Sequence, residues 1–118
     1  MDLRELTIRS FHEGLVAKRF SAHEVTAAYL DAIEARDREL GAYLCVFREE
    51  ALGTAAAVDS LVAKGEAMPP LAGVPIAIKD NILVEGTRTT AASKVLGGYE
   101  ASYDATVVTK LKAAGAVI

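Results

Sequence analysis

"LAGVPIAIKDNI", residues 71–82, is the stretch on which the fold turns. Leu71, Val74, Ile76, Ala77 and Ile78 are aliphatic, and a lysine and an aspartate follow them directly. Val74–Lys79 reads as a strand that is apolar on both faces, the pattern of an interior strand in a sheet covered on both sides. Pro75 stands near its start, one of the few places where a strand accepts proline. Alternation puts Ala77 and Lys79 on one face and Ile76, Ile78 and Asp80 on the other, so Lys79 and Asp80 need not pair. Ligands of α/β sheets bind at the carboxyl ends of strands, and Lys79 sits at such an end. From the pattern alone two readings stay open. The amine can snorkel from a strand end to water, or it can act as a general base, a Schiff-base nucleophile or an anion clamp. A base must be neutral. Deprotonating an ordinary lysine at pH 7 costs roughly 4–5 kcal/mol, and full burial lowers a lysine pKa by about 3–5 units.

Around this run the chain has 118 residues, which makes one domain, 1–118, the default. An apolar fraction of 52% with 25% charged residues is that of a globular core and argues against disorder. The net charge of −3 comes without a basic block, so no electrostatic footprint for direct nucleic-acid binding is present. A single cysteine, Cys45, excludes an internal disulfide and fits a reducing compartment. No apolar run approaches the roughly 20 residues of a membrane span, and "MDLRELTIRS" lacks the pattern of a secretory signal. The expectation is a cytoplasmic or organelle-matrix protein.

Residues 1–70 read as a mainly helical lead-in. Ile8, Phe11 and Leu15 give one apolar stripe to a helix from Asp2 to about Arg19. Ser21 and Glu24 have the spacing of a capping box, which starts a second helix at Ala22. It runs to Leu40, buries Ala22, Val25, Tyr29, Ala32 and Ile33, pairs Glu34 with Arg38 outside, and stops at Gly41. "AYLCVF" (42–47) reads as a strand with Cys45 buried in it. A third helix follows to Gly65, with Ala51, Ala55, Val58 and Val62 aligned.

Residues 71–118 read as the start of a core. After the strand comes a loop, with Glu85–Gly86 as a turn and a helical turn around Ala91–Leu96. Asp104 is an N-cap for a helix that buries Val107, Leu111 and Ala114 and ends at Gly115. Ala116–Ile118 then reads as the opening of a strand with fewer than the roughly 4–6 residues usual for one. The expected fold class is therefore α/β, truncated within a strand.

Residues 71–118, "LAGVPIAIKDNILVEGTRTTAASKVLGGYEASYDATVVTKLKAAGAVI", resemble the amidase signature family. "GVPIAIKDNI" carries the family likeness. "GTRTTAASKVL" and "YDATVVTKLKAAGAVI", in order and closely spaced, point to its tRNA-dependent amidotransferase branch. The likeness continues more loosely through the N-terminal helices. It implies an N-terminal fragment of the amidase signature fold, a mixed sheet covered by helices, with a Ser–cis-Ser–Lys triad whose lysine falls on Lys79. Lys79 would take a proton, through the bridging serine, from the nucleophilic serine. That serine attacks the glutamine side-chain amide, an acyl-enzyme forms, ammonia leaves, and backbone N–H groups hold the oxyanion. The resemblance also implies B and C partner subunits and glutamine as substrate. Misacylated Glu- or Asp-tRNA would be reached through a partner and converted to Gln- or Asn-tRNA. ATP and magnesium serve the complete complex, and no cofactor or metal is expected in these residues.

Both triad serines are expected downstream of Ile118. Ser10, Ser21, Ser60, Ser93 and Ser102 do not stand in the family's nucleophile motif, so the residues present are not expected to catalyse alone. Asp80 and Asn81 are the candidates for holding Lys79 through the following loop. Thr87–Thr90 could line a site or serve turns and caps. His12 and His23 have surface or structural roles, because a metal site needs three or four converging ligands. Two rivals accompany the amidotransferase reading: an amidase of the same family acting on a small free amide, and a non-catalytic interaction fragment whose "AGAVI" end pairs with a partner strand.

Overall fold

Helix caps organise the first half of the chain. In the computed structural model, which describes residues 2–118, four helices appear: α1 (Ile8–Val16), α2 (Ala22–Leu40), α3 (Arg48–Lys64) and α4 (Thr106–Ala113). The helix expected from Asp2 divides. A 3-10 turn covers Leu3–Glu5, and α1 begins only at Ile8 because Thr7 is extended and forms a capping box with Ser10. Phe11 and Leu15 are buried, whereas Ile8, in the first turn, is 49% exposed.

α2 follows the reading from sequence at both ends. Ser21 accepts from Glu24 N, the Glu24 carboxylate accepts from Ser21 N, and Gly41 closes the helix in a left-handed conformation. The other two first-turn donors go to α3, where the Asp59 carboxylate accepts from Ala22 N at 2.6 Å and from His23 N at 3.0 Å. α3 packs along α2 with Ala51, Ala55 and Val58 buried. Alanine at these places lets the backbones approach closely. Thr26 and Leu30 join Ala22 and Val25 in the buried stripe of α2, while Tyr29, Ala32 and Ile33 are only half-buried. The core adds Phe11, Leu15, Ala72 and Val117, so both halves of the chain share it. Burying one valine or leucine fully contributes roughly 1.5–3 kcal/mol.

The Glu34–Arg38 pair does not form. Arg48, at the start of α3, reaches back to Asp31 at 2.6 Å and to Glu34 at 3.7 Å. The strand expected at 42–47 is also not formed: the segment is irregular and Cys45 is exposed. Asp37 in the last turn of α2 accepts from Ala42 N at 2.6 Å and Tyr43 N at 3.2 Å. The N–H groups that would open a ladder are thus bound to the helix end.

The mixed sheet is likewise not formed among the described residues, which hold two isolated bridges, Pro75 with Val117 in parallel and Arg88 with Glu100 antiparallel. Ile76 N donates to the Val117 carbonyl at 2.8 Å, and Val117 N donates to the Val74 carbonyl at 2.9 Å. Pro75–Val117 is the one bridge of this segment among the described residues, and Ala77–Lys79 has no ladder partner among them. The Lys79 carbonyl instead accepts from Ile82 N at 3.0 Å and starts a turn.

Asp104 does not cap α4. The N-cap is Ala105, without a side-chain bond, while Asp104 accepts from Glu85 N at 2.8 Å and Lys112 Nζ at 2.7 Å. Val108 is the buried residue of α4; Val107 is exposed, and Leu111 and Ala114 are half-buried. The helix closes as a Schellman motif: Gly115 N donates to Lys112 O at 2.9 Å and Ala116 N to Leu111 O at 3.0 Å. Gly115 has φ +85°, and a Cβ there would lie 2.9 Å from Ala72 Cα. This close approach lets Gly73 N reach the Gly115 carbonyl at 2.9 Å and seats 71–76 beside 114–117.

Candidate active site

Lys79 lies on an open groove of about 920 Å³ between the C-terminal half of α2, the 42–47 segment and residues 75–80. Cys45 and Arg88 line the same groove. The Lys79 side chain is exposed, and among the described residues no carboxylate pairs with it. It stands at the first position of the Lys79–Ile82 turn, with Asp80 and Asn81 at its centre. Asparagine and aspartate favour such positions because they tolerate turn backbones and bond locally.

Asp80 ties this turn to the loop beyond it. One carboxylate oxygen accepts from Thr90 N at 3.0 Å, the other accepts from the Thr90 hydroxyl, and the Asp80 carbonyl accepts from Ala91 N at 3.0 Å. The Thr90 hydroxyl and amide, with the Arg88 charge nearby, hold the Asp80 carboxyl below its usual range. Asn81 is exposed and contributes to the turn through its place in it. Of the two residues picked out beside Lys79, it is Asp80 that meets the following loop.

The loop held this way is strained. Ala91 and Ala92 take φ +48° and +59° in succession, in the left-handed region that costs an L-residue roughly 1–2 kcal/mol. Such strain persists only where surrounding bonds enforce it. Asp80 supplies those bonds through Thr90 and Ala91, and Ser93 N closes the turn onto the Thr90 carbonyl at 2.8 Å. The remainder of the loop is equally pinned. Val84–Thr87 is a turn with Gly86 at φ +75°, as "EG" predicts, and its ends pair with 99–101 through Gly86 N to Ala101 O at 2.8 Å and Ala101 N to Thr87 O at 2.9 Å. Thr89 is buried, Thr87 donates to the Val84 carbonyl at 2.8 Å, and Arg88 donates to the Gly97 carbonyl. Within "TRTT", Thr90 is thus the residue that contacts the lysine's turn. Its only signal in the sequence is the short Asp–Xaa9–Thr spacing, which has no meaning until the loop is seen to fold back.

The other candidates fall elsewhere. Ser10 and Ser21 serve in capping boxes and Ser60 donates to the Ala56 carbonyl at 3.1 Å. His12 is half-buried, and its Nε2 donates to the Ala72 carbonyl at 3.1 Å, joining α1 to the loop before Val74. Among the described residues no three His, Cys, Asp or Glu side chains converge as metal ligands, and no helix is long and apolar enough to cross a membrane.

The chain is similar to known proteins over its whole length. The chain is 48% identical over all 118 residues to the A subunit of glutamyl-tRNA(Gln) amidotransferase from Desulfatibacillum aliphaticivorans. It is 49% identical over the same 118 residues to the protein of that name from Moorella thermoacetica. Each match covers the whole chain and 24% of the relative, so the chain spans about a quarter of the length of these curated proteins. Among solved structures, a bacterial aryl acylamidase of the amidase signature enzymes superposes with TM-score 0.86 at 27% identity, covering 95% of this chain and 24% of that one. The native peptide amidase of Stenotrophomonas maltophilia superposes with TM-score 0.81 at 31% identity, covering 98% and 24%. A protein described in a vestigial complex that reveals the origins of an s-triazine catabolic enzyme gives 0.88 at 39%, covering 95% and 25%. The family model described as Amidase matches residues 24–118. The chain belongs to the amidase signature family.

Proposed function

We propose that these residues form the opening part of the glutaminase subunit of a tRNA-dependent amidotransferase and supply the lysine of its Ser–cis-Ser–Lys triad. The observation that carries this reading is the 45–50% identity, over 117 or 118 residues, to proteins named as the A subunit of glutamyl-tRNA(Gln) amidotransferase. Lys79 is the base, and the two serines come from chain beyond these residues, as do the oxyanion donors and the rest of the mixed sheet, of which 71–118 is the beginning. Neutral lysine needs dry surroundings, and the open groove beside Lys79 is where the rest of such a sheet would supply them. The bridging serine passes the nucleophile's proton to Lys79, the acyl-enzyme forms on glutamine, and ammonia is released to the B and C partner subunits. There it would serve the conversion of Glu-tRNA(Gln) or Asp-tRNA(Asn). ATP and magnesium belong to that partner step; among the described residues no three His, Cys, Asp or Glu side chains converge to hold the metal. Cytoplasm, or an organelle matrix, is the compartment such a complex occupies.

A second reading, an amidase for a small free amide, is favoured by the aryl acylamidase and peptide amidase among the structural neighbours. The experiment that separates the two is a substrate and partner test on the intact glutaminase. Ammonia release from glutamine, with co-purification of a second, tRNA-binding protein, supports the first reading. Turnover of aryl or peptidyl amides by an unpartnered protein, with none on glutamine, supports the second.

A further inference from the structure

Two peptide units flank Asp80, and both are tied. The Lys79 carbonyl is engaged by Ile82 N, and the Asp80 carbonyl by Ala91 N. The Asp80 carboxylate is held at both oxygens by Thr90. Rotating the backbone at Asp80, and with it the direction in which Lys79 leaves the chain, therefore breaks one of these bonds. The far end of the clamp is equally fixed. Thr90 is followed by the left-handed Ala91–Ala92 pair, and its carbonyl accepts from Ser93 N at 2.8 Å. The strained turn cannot relax without releasing Asp80. Lysine has four side-chain torsions and gains precision only if its Cα is held.

We propose that Thr90 is a positioning residue for Lys79: its hydroxyl and amide fasten Asp80, and the strained Ala91–Ala92 turn makes that hold rigid. The proposal rests on the reading of Lys79 as the triad base, and it adds a residue and a conformational requirement to that reading. A threonine hydroxyl is small enough to sit in the clamp and can donate to the carboxylate, whereas valine has the same shape without the donor.

The test compares Thr90→Val, Thr90→Ser, Ala92→Gly and Lys79→Ala in the intact glutaminase subunit, measuring kcat and KM for glutamine together with Tm. Misplacing a reacting group by about 1 Å can cost on the order of 100-fold in rate. The expected result for Thr90→Val is a fall in kcat of about 10–100-fold with KM changed less than about twofold, and Thr90→Ser brings kcat back to within about threefold of wild type. Ala92→Gly, which removes the Cβ from the left-handed position, is expected to hold or raise Tm while lowering kcat several-fold. Wild-type kcat in Thr90→Val overturns the proposal. So does a loss in which kcat falls only in step with Tm and serine fails to rescue it. Should Thr90→Val not fold, Ala92→Gly decides: unchanged kcat overturns the proposal. Lys79→Ala keeps the two claims apart. Full activity in that variant sinks the triad reading itself, whereas inactive Lys79→Ala with a silent Thr90→Val sinks the positioning role alone.

Discussion

The Asp59 carboxylate of α3 accepts from Ala22 N, at the first turn of α2, at 2.6 Å. Its second oxygen accepts from His23 N at 3.0 Å. Together with the Ser21–Glu24 capping box, this satisfies the first-turn donors that a helix leaves open. Because the carboxylate belongs to another helix, the cap also locks α3 onto α2. Asp59→Ala is expected to destabilise the chain by about 1–2 kcal/mol, the range for loss of a good N-cap. Thermal unfolding should show a lower Tm, by about 2–8 °C per kcal/mol according to the size of the unit that unfolds. An unchanged Tm would mean that the capping box alone is sufficient.

Gly115→Ala tests the seam between the two halves. Its φ of +85° and the 2.9 Å approach to Ala72 Cα leave no room for a methyl group, and the obstacle is backbone. A loss of about 1–3 kcal/mol is expected, the cost of a left-handed non-glycine residue plus a displaced neighbour. Gly98→Ala is the matched control, since nothing lies within 4 Å of the position its Cβ would occupy. Equal stability of the two variants would contradict the packing described.

Two carboxylates give the loop after Lys79 a pH dependence. Asp80 is lowered from 3.8 first by the Thr90 hydroxyl, and Asp104 from 3.8 first by Lys112 and then by the Glu85 amide. A group whose pKa is lower folded than unfolded stabilises the fold fully above its unfolded value. That contribution fades as pH falls through the lower, folded value. The Thr90 and Glu85 amide resonances are therefore expected to titrate with midpoints below 3.8, and Asp80→Asn should abolish the Thr90 transition only. Midpoints at or above 3.8 would contradict the hydrogen bonding seen here.

How far the sequence can be read depends on how far apart the interacting residues lie. Ser21 and Glu24 are three residues apart, so the start of α2 is legible, and Gly41 and Gly65 mark helix ends for the same local reason. Thr7 and Ser10 form an equally local cap, but the apolar stripe alone does not reveal it and places the start of α1 too early. Strands are another matter, because a strand exists only with a partner. Val74–Lys79 has the composition of an interior strand, yet a single bridge to Val117 is all the pairing the described residues provide. The 42–47 segment has strand composition without a strand because nothing local signals that Asp37 binds the amides of Ala42 and Tyr43. Asp104 looks like an N-cap by position, but it accepts from Glu85 N, 19 residues away, and from Lys112 Nζ. At the candidate site the family motif picks out Lys79 and adjacency picks out Asp80. Thr90 and the left-handed alanines become visible only once the loop is seen folded back on the turn.

The most direct test of the proposed function is the initial rate of ammonia release from glutamine by a full-length protein containing these residues, assembled with the partner subunits that the proposal gives it and carrying Lys79→Ala. If Lys79 is the triad base, the rate falls on the order of 10³-fold or more, because removing one member of a catalytic triad leaves only what binding and the oxyanion hole provide. Among the described residues no carboxylate pairs with Lys79, so its truncation breaks no ion pair there, and circular dichroism should show the variant folded. A folded Lys79→Ala protein that releases ammonia at a rate within about tenfold of wild type would contradict that role.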